Sequence, residues 1–140
     1  MEFIINAIEE TDYDKFVEWW RWSRFPAPTK NLLPNQGLGG LKLTNEEGID
    51  VAVGFLYDTN SDISWLEFVT LNPEIKDREL RKEIKKEIIF YLTLHAKNKK
   101  YEAVFTSLKD EALRDSFIEN GYVMSKQDTK ELTINLKPLS

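Results

Sequence analysis

The sequence predicts an α/β fold, a mixed central sheet of about six or seven strands with helices on both faces. Three observations point there. Short apolar runs rich in β-branched residues alternate with longer amphipathic stretches, in the order β-α-β-β-β-α-β-α-β-β. One run, Ile63 to Leu71, is apolar on both faces, which suits a central strand in a covered sheet. The stretch WLEFVTLNPEIKDRELRKEI, from Trp65 to Ile84, reads as a strand that stops at Asn72-Pro73 and turns into a helix.

At 140 residues the chain reads as a single domain, residues 1–140. It is 41% hydrophobic and 31% charged, the balance of a soluble globular protein. A formal net charge of −5 argues against nonspecific nucleic-acid binding, which needs a positive field. There is no cysteine, so no disulfide, thiolate nucleophile or Cys-ligated metal is available. A single histidine argues against a zinc site. The opening MEFIINAIEE has neither a basic segment nor a long apolar run. No signal peptide and no membrane span are expected from it, and the default expectation is a cytoplasmic protein.

Phe3 to Ile8 is a short apolar run, a first strand. Thr11-Asp12 offers an N-cap for a helix reaching about Ser23. On it Tyr13, Phe16 and Trp20 share a face, while Trp19 and Trp22 point elsewhere. Residues 24–40 hold three prolines and three glycines and read as loop. Leu38 to Thr44 and Ile49 to Tyr57 are strands joined by Asn45-Glu46-Glu47-Gly48, and Asp58 to Asp62 is the turn before Ile63 to Leu71. Strict alternation on that strand puts Ile63, Trp65, Glu67, Val69 and Leu71 on one face, with Leu66 and Phe68 on the other. A helix from about Asp77 to Asn98 carries Leu80, Ile84, Ile88, Tyr91, Leu92 and His95 in one stripe. Ile89, Phe90 and Leu94 widen its apolar surface, so packing on more than one side is expected. Glu102 to Ser107 is a strand, and Lys109 to Asn120 is a helix stopped by Gly121. Tyr122–Met124 and Lys130–Leu136 are two closing strands.

WLEFVTLNPEIKDRELRKEI and YEAVFTSLKDEALRDSFIENGYV, in this element order, resemble the GNAT (Gcn5-related N-acetyltransferase) superfamily over nearly the whole chain. The first segment is similar to the family's fourth strand and pyrophosphate-binding helix. The second is similar to its fifth strand, last helix and the Gly-aromatic pair that follows. NPE, FTS and ENGY look most like a divergent phage- and metagenome-associated branch. The resemblance implies a GNAT-like sheet in which two parallel strands splay and acetyl-CoA, the cosubstrate, lies in the gap. It implies an acyl-CoA-dependent N-acetyltransferase whose acceptor is a small-molecule or protein amine. The main chain of Phe68, Val69 and Thr70 would face the pantetheine arm, and amides at the next helix start would hold the pyrophosphate.

The family's phosphate turn, Arg/Gln-x-x-Gly-x-Gly/Ala, falls here on Lys76 to Arg81. Lys76 stands at the Arg/Gln position, while Glu79 and Arg81 replace the two small residues that let a diphosphate approach the backbone. Glu74, Asp77 and Glu79 would also repel it. Lys76, Arg78, Arg81 and Lys82 could offset the charge but not the crowding. Two readings are open: a rewired CoA site built on basic side chains, or an ordinary helix start. The position of the family's tyrosine falls on Phe117, which has no proton to donate. The transferase reading therefore depends on a slot between parting strands beside a helix tip with free amides. A tip plugged by its own side chains would leave only the architecture.

Glu67 is the general-base candidate, because an acid on a mostly apolar strand face has its pKa raised by burial. A salt bridge or polar edge is the other reading. Ser107 could orient the thioester or cap the next helix. Tyr122 and His95 read as packing residues. In WWRWSRFPAP, Trp19, Arg21, Trp22 and Arg24 could hold a planar or anionic acceptor, wrap the sheet edge, or mark a homodimer or partner surface. The alternative to an enzyme is a non-catalytic GNAT-like binding protein, phage-encoded and acting on a host protein in the host cytoplasm. The missing glycines suit that alternative.

Overall fold

In the computed structural model, which describes residues 2–137, one five-stranded sheet organises the chain. Its strands are β1 (Ile4–Ala7), β2 (Gly40–Thr44), β3 (Asp50–Tyr57), β4 (Ile63–Leu71) and β5 (Ala103–Phe105), and their spatial order is their order in sequence. β1 to β4 are antiparallel neighbours; short turns join β2 to β3 and β3 to β4, while residues 8–39 lie between β1 and β2. At the β2–β3 turn the Asn45 side chain accepts the N–H groups of Glu47 and Ile49, and Gly48 supplies the left-handed residue at φ 81°. β5 joins β4 in parallel, which requires a crossover, and helix α2 (Arg78–Asn98) provides it.

Helix α1 (Tyr13–Trp22) covers one face of the sheet, where Phe16, Trp19 and Trp20 pack with Val53 and Phe55. Helices α2 and α3 (Glu111–Glu119) cover the other. There Ile84, Ile88, Ile89, Leu92 and Phe117 meet Leu43, Ala52, Leu56, Leu66 and Leu71. Helices on both faces are thus as expected, but several particulars differ. Trp19 is buried against Phe16 at 5.1 Å, and only Trp22 points outward. Phe90 and Leu94 stay exposed, so α2 buries its stripe and Ile89 but packs on one side only. Thr11 does not cap α1. A single 3₁₀ turn, Glu10–Asp12, precedes that helix, and the Asp12 carboxylate accepts the N–H of Glu9 at 2.9 Å. Asp12 also pairs with the buried Lys42 at 2.8 Å, and Lys42 lies 3.1 Å from Asp50, which Lys15 contacts in turn. This network fastens the start of α1 to β2 and β3.

Five strands stand where six or seven were expected. Residues 122–124 and 130–136 form no strand, and Val123, Leu132, Ile134 and Leu136 are exposed. Alternation alone does not make a strand; it needs an edge to pair with. β5 has only three residues, shorter than the expected Glu102–Ser107, and offers little edge. Beyond Phe105 the chain turns out of register with β4, and the Ser107 N–H goes to a side chain instead of a ladder carbonyl.

A bulge breaks the alternation of β4. Phe55 pairs with Glu67 and Val53 with Thr70, so Phe68 and Val69 together oppose Gly54. Phe68 takes up the extra residue at φ 61°. As a result Leu66, Val69 and Leu71 pack toward α2, while Phe68 packs under α1. Glu67 lies opposite Phe55 and Trp65 opposite Tyr57, so both share the α1 side. Trp65 is therefore not on a face with Val69 and Leu71, nor Leu66 with Phe68. Gly54 makes the bulge possible: a Cβ there would come within 2.5 Å of Leu92 Cδ1 and 3.1 Å of Val69 Cγ2.

Candidate functional site

β4 is nine residues long, and β5 pairs with only its first three: Ile63 with Ala103, Ser64 with Val104 and Trp65 with Phe105. From Leu66 onward β4 has no ladder partner on that side. β4 and β5 thus stop pairing partway along β4, and the Glu67 side chain meets the Ser107 N–H across that point.

Glu67 stands where the strands separate. Its carboxylate accepts the backbone N–H of Ser107 at 2.9 Å. Burial pushes its pKa up to about 7; the Ser107 N–H opposes the shift, and the nearby Glu131 carboxylate adds to it. Among the described residues no cationic side chain lies within ion-pair distance of Glu67, so the salt-bridge reading is not realised. The Ser107 hydroxyl bonds to Glu131. Ser107 does not cap the next helix; Asp110 does, accepting from Ala112 and Leu113 at 2.8 and 3.2 Å. Tyr57 lies across β3 on the same face. Burial, and secondarily Glu67, push its pKa up to about 12, and its hydroxyl donates to the Leu32 carbonyl at 2.7 Å.

The Phe68 ring stacks in an aromatic cluster with Trp20, Phe25 and Tyr57 at centroid distances of 6.4, 6.2 and 6.4 Å. Val69 packs against the α2 core, and Thr70 is buried. The main chain of these three residues has no ladder partner on the β5 side.

The tip of α2 is another matter. Asp77 is its N-cap, and the Asp77 carboxylate accepts the N–H groups of Glu79 and Leu80 at 2.9 and 3.1 Å. The tip is plugged by its own side chain. Arg81 does not reach outward either. Its guanidinium folds back under the turn and donates to the carbonyls of Asn72 and Ile75 at 3.2 and 2.9 Å, and burial lowers its pKa. Asn72 braces the same turn, donating to the Asp50 carbonyl and accepting from the Glu74 N–H. Lys82 lies 3.8 Å from Glu79. Of the four basic residues expected to meet a diphosphate, Lys76, Arg78 and Lys82 remain exposed, Lys82 beside Glu79.

The other candidates separate from this slot. Phe117 is buried, with Tyr122 packed edge-on against it at 4.9 Å and the Tyr122 hydroxyl 2.6 Å from that of Thr93. Tyr122 is a packing residue, as expected. His95 lines an open cavity of about 500 Å³ near the end of β3, beside Lys99 and Asp58. Burial, then Lys99, lower its pKa. Trp19 is buried and Arg21 pairs with Glu18 at 2.9 Å, so Trp19, Arg21, Trp22 and Arg24 do not assemble as one acceptor pocket. Among the described residues no group of three or more His, Cys, Asp or Glu could hold a metal ion, and no helix is long and apolar enough to cross a membrane. Sequence reasoning placed Trp65 on the face of Glu67 but missed Phe105 beside Trp65 and Glu131 near Glu67, because only the strand register and the path after β5 bring them there.

No family model matches the chain, and no curated protein matches it. Solved structures do. An acetyltransferase of the GNAT family from Listeria monocytogenes superposes with a TM-score of 0.67 at 14% identity, over 91% of this chain and 90% of that one. Glucosamine-6-phosphate N-acetyltransferase from Arabidopsis thaliana gives 0.64 at 15% identity, over 94% and 99%. N-acetylglutamate synthase from Neisseria gonorrhoeae, complexed with coenzyme A and N-acetyl-glutamate, gives 0.64 at 12% identity, over 85% of this chain and 28% of that one. With its splayed β4–β5 pair and crossover helix, this chain has the fold of the GNAT acetyltransferases.

Proposed function

We propose that this protein is an N-acyltransferase that takes its acyl group from acyl-CoA and uses Glu67 as general base, with a diphosphate seat that is closed in the free protein. The observation that carries this reading is Glu67: a carboxylate held by Ser107 at the point where β4 and β5 part, with a pKa raised to about 7. A base near neutrality is matched to taking a proton from an amine at neutral pH. In the step, the acceptor nitrogen bonds to the acyl carbon, the carbon–sulfur bond breaks, and the ammonium proton passes to Glu67. The thiolate leaves and is protonated by water, since Phe117 has no proton to give. Thiolates leave well enough for that loss to slow the reaction without stopping it.

The Asp77 cap meets the condition under which the sequence left only the architecture: as the chain stands the donor seat is closed, and the transferase reading holds only if that cap opens to acyl-CoA. Asp77 is exposed, so its side chain can swing away, and losing such a cap costs about 1 kcal/mol. Acyl-CoA must supply that energy and overcome the charges of Glu74, Asp77 and Glu79, helped by Lys76 and Arg78. The same cap favours a second reading, a non-catalytic GNAT-like binding protein. Thermal melting with and without acetyl-CoA separates the two: a rise in Tm supports the transferase, and no rise at millimolar acetyl-CoA supports the binding protein.

A further inference from the structure

We propose that the cavity between the end of β3 and the last turns of α2 is a binding site for a neutral sugar, separate from the Glu67 site. The cavity measures about 500 Å³ and is open to solvent, a size that suits a small polyhydroxylated ring. Asp58, His95 and Lys99 line it from the end of β3 and from α2, Asn35 and Leu38 line it from the loop before β2, and Leu56 adds apolar surface. It lies far from the tip that Asp77 closes: at 1.5 Å per residue, α2 rises roughly 27 Å between Asp77 and His95. It also lies across the sheet from Glu67, since Leu56 packs on the α2 side and Glu67 is on the α1 side.

The charges on its lining are already matched. Asp58 accepts Lys99 Nζ through both oxygens, at 3.0 and 2.8 Å, and the Tyr101 hydroxyl at 2.9 Å. Lys99 above all holds the Asp58 carboxyl below its usual range, so the pair stays ionised. Burial, then Lys99, lower the His95 pKa, so the imidazole is neutral at pH 7.5. Among the described residues no hydrogen bond contributes to that shift, and the two ring nitrogens stand uncommitted, one to donate and one to accept. An anion would have to pull Lys99 from Asp58, and a cation would have to pull Asp58 from Lys99. A hydroxyl needs neither, because it donates to one partner while accepting from another. Lys99, His95 and the Asn35 amide supply donors; His95, the Asn35 carbonyl oxygen and the remaining Asp58 lone pair supply acceptors. That mixture fits neighbouring hydroxyls on a sugar ring, and Leu38 and Leu56 fit its C–H face.

The loop that carries Asn35 is held in an uncommon shape. Asn35 and Gln36 are left-handed at φ 49° and 53°, ahead of Gly37 at 91°. Backbone strain of this kind in residues other than glycine gathers at ligand clamps. The loop is also fastened in place: the Gly39 N–H donates to the Pro34 carbonyl at 2.9 Å, and the Leu56 N–H donates to the Gly39 carbonyl at 3.1 Å. The strained loop, the matched ion pair and the uncommitted imidazole meet at one cavity.

His95 is the only histidine in the chain, so its ring signals in NMR report on this cavity alone. D-glucose, D-galactose, D-mannose, N-acetyl-D-glucosamine and maltose are titrated into the whole chain at pH 7.5 without acyl-CoA, with cyclohexanol and D-glucuronate as controls. At least one sugar should shift the His95 signals saturably at tens of millimolar or below, and bind at least fivefold more tightly than either control. Asn35→Gly, which suits the left-handed backbone, should keep the fold and weaken that sugar at least threefold. Glu67→Gln should leave the sugar affinity unchanged, a result that holds whether or not the chain transfers acyl groups. The absence of a saturable shift with all five sugars would overturn the proposal. Equal binding of cyclohexanol would make the cavity a plain apolar cleft, and tighter binding of glucuronate would make it an anion site; either overturns it, as does full sugar affinity in Asn35→Gly.

Discussion

Ser107 donates its backbone N–H to Glu67 across 2.9 Å, tying the end of β5 to the middle of β4 where the two strands stop pairing. This bond alone would favour the ionised carboxylate. Burial outweighs it, and Glu131 adds to the burial, so the group titrates near 7.

If Glu67 is the base, Glu67→Gln should lower turnover by about 10²–10⁴-fold, the usual range for a positioned general base. Acyl-CoA binding should hardly change. In the parent chain the rate should rise with pH through about 7, as Glu67 ionises, and that limb should vanish in the variant. Initial rates across pH 5–9 check both; a variant as active as the parent removes Glu67 from the mechanism.

The same shift has a stability consequence. The folded pKa lies above the ordinary value of 4.5, so between 4.5 and about 7 the folded chain binds more protons than the unfolded one. Glu67 therefore favours folding least at high pH: its contribution is intact below 4.5 and is lost as pH rises through about 7. Glu67→Gln should raise Tm at pH 8 relative to the parent and leave it nearly unchanged at pH 4.5. Melting curves at the two pH values decide this.

Lys42 is buried between Asp12 and Asp50. Burial pushes the Asp12 pKa up, but bonds from Lys42 and the Glu9 N–H outweigh it and leave the pKa lowered. Its stabilisation is thus present above the ordinary 3.8 and is lost as pH falls below that. Lys42→Met leaves Asp12 with only the part-exposed Lys15, 3.4 Å away, and the Glu9 N–H, and should cost less than the about 3–5 kcal/mol of a fully stranded buried charge at pH 7. Adding Asp12→Asn should recover part of the loss in urea unfolding; no recovery would show that the two do not act as a pair.

Gly54 faces Leu92 at the bulge. Gly54→Ala brings a Cβ within 2.5 Å of a fully buried side chain and should cost about 1–3 kcal/mol. Denaturant unfolding measures it, and a neutral result would mean that α2 does not seat against β3 there.

The element order was legible because long periodic runs announce themselves: Ile84, Ile88 and Leu92 mark the α2 face, and Ile63 to Leu71 marks a central strand. The bulge was not, because alternation reads as unbroken until Phe68 is seen at φ 61° opposite Gly54. Glu67 stood out as an acid on an apolar strand, but its partner Ser107 comes from forty residues away. The closing strands failed because alternation at Leu132, Ile134 and Leu136 says nothing about the length of the edge they would need. At the tip of α2 the acids were visible, yet whether Asp77 turns inward as a cap is a matter of rotamer, which sequence does not carry.

The most direct measurement is a thermal shift with acetyl-CoA on the parent chain and on Asp77→Gly. Glycine at an N-cap costs only a few tenths of a kcal/mol, while the change frees the Glu79 and Leu80 amides and removes one acid. The account expects the parent to be stabilised, by about 2.7 kcal/mol at a hundredfold excess over the dissociation constant, and the variant to bind more tightly. No shift in either chain at millimolar acetyl-CoA would contradict it, leaving the GNAT fold without the donor.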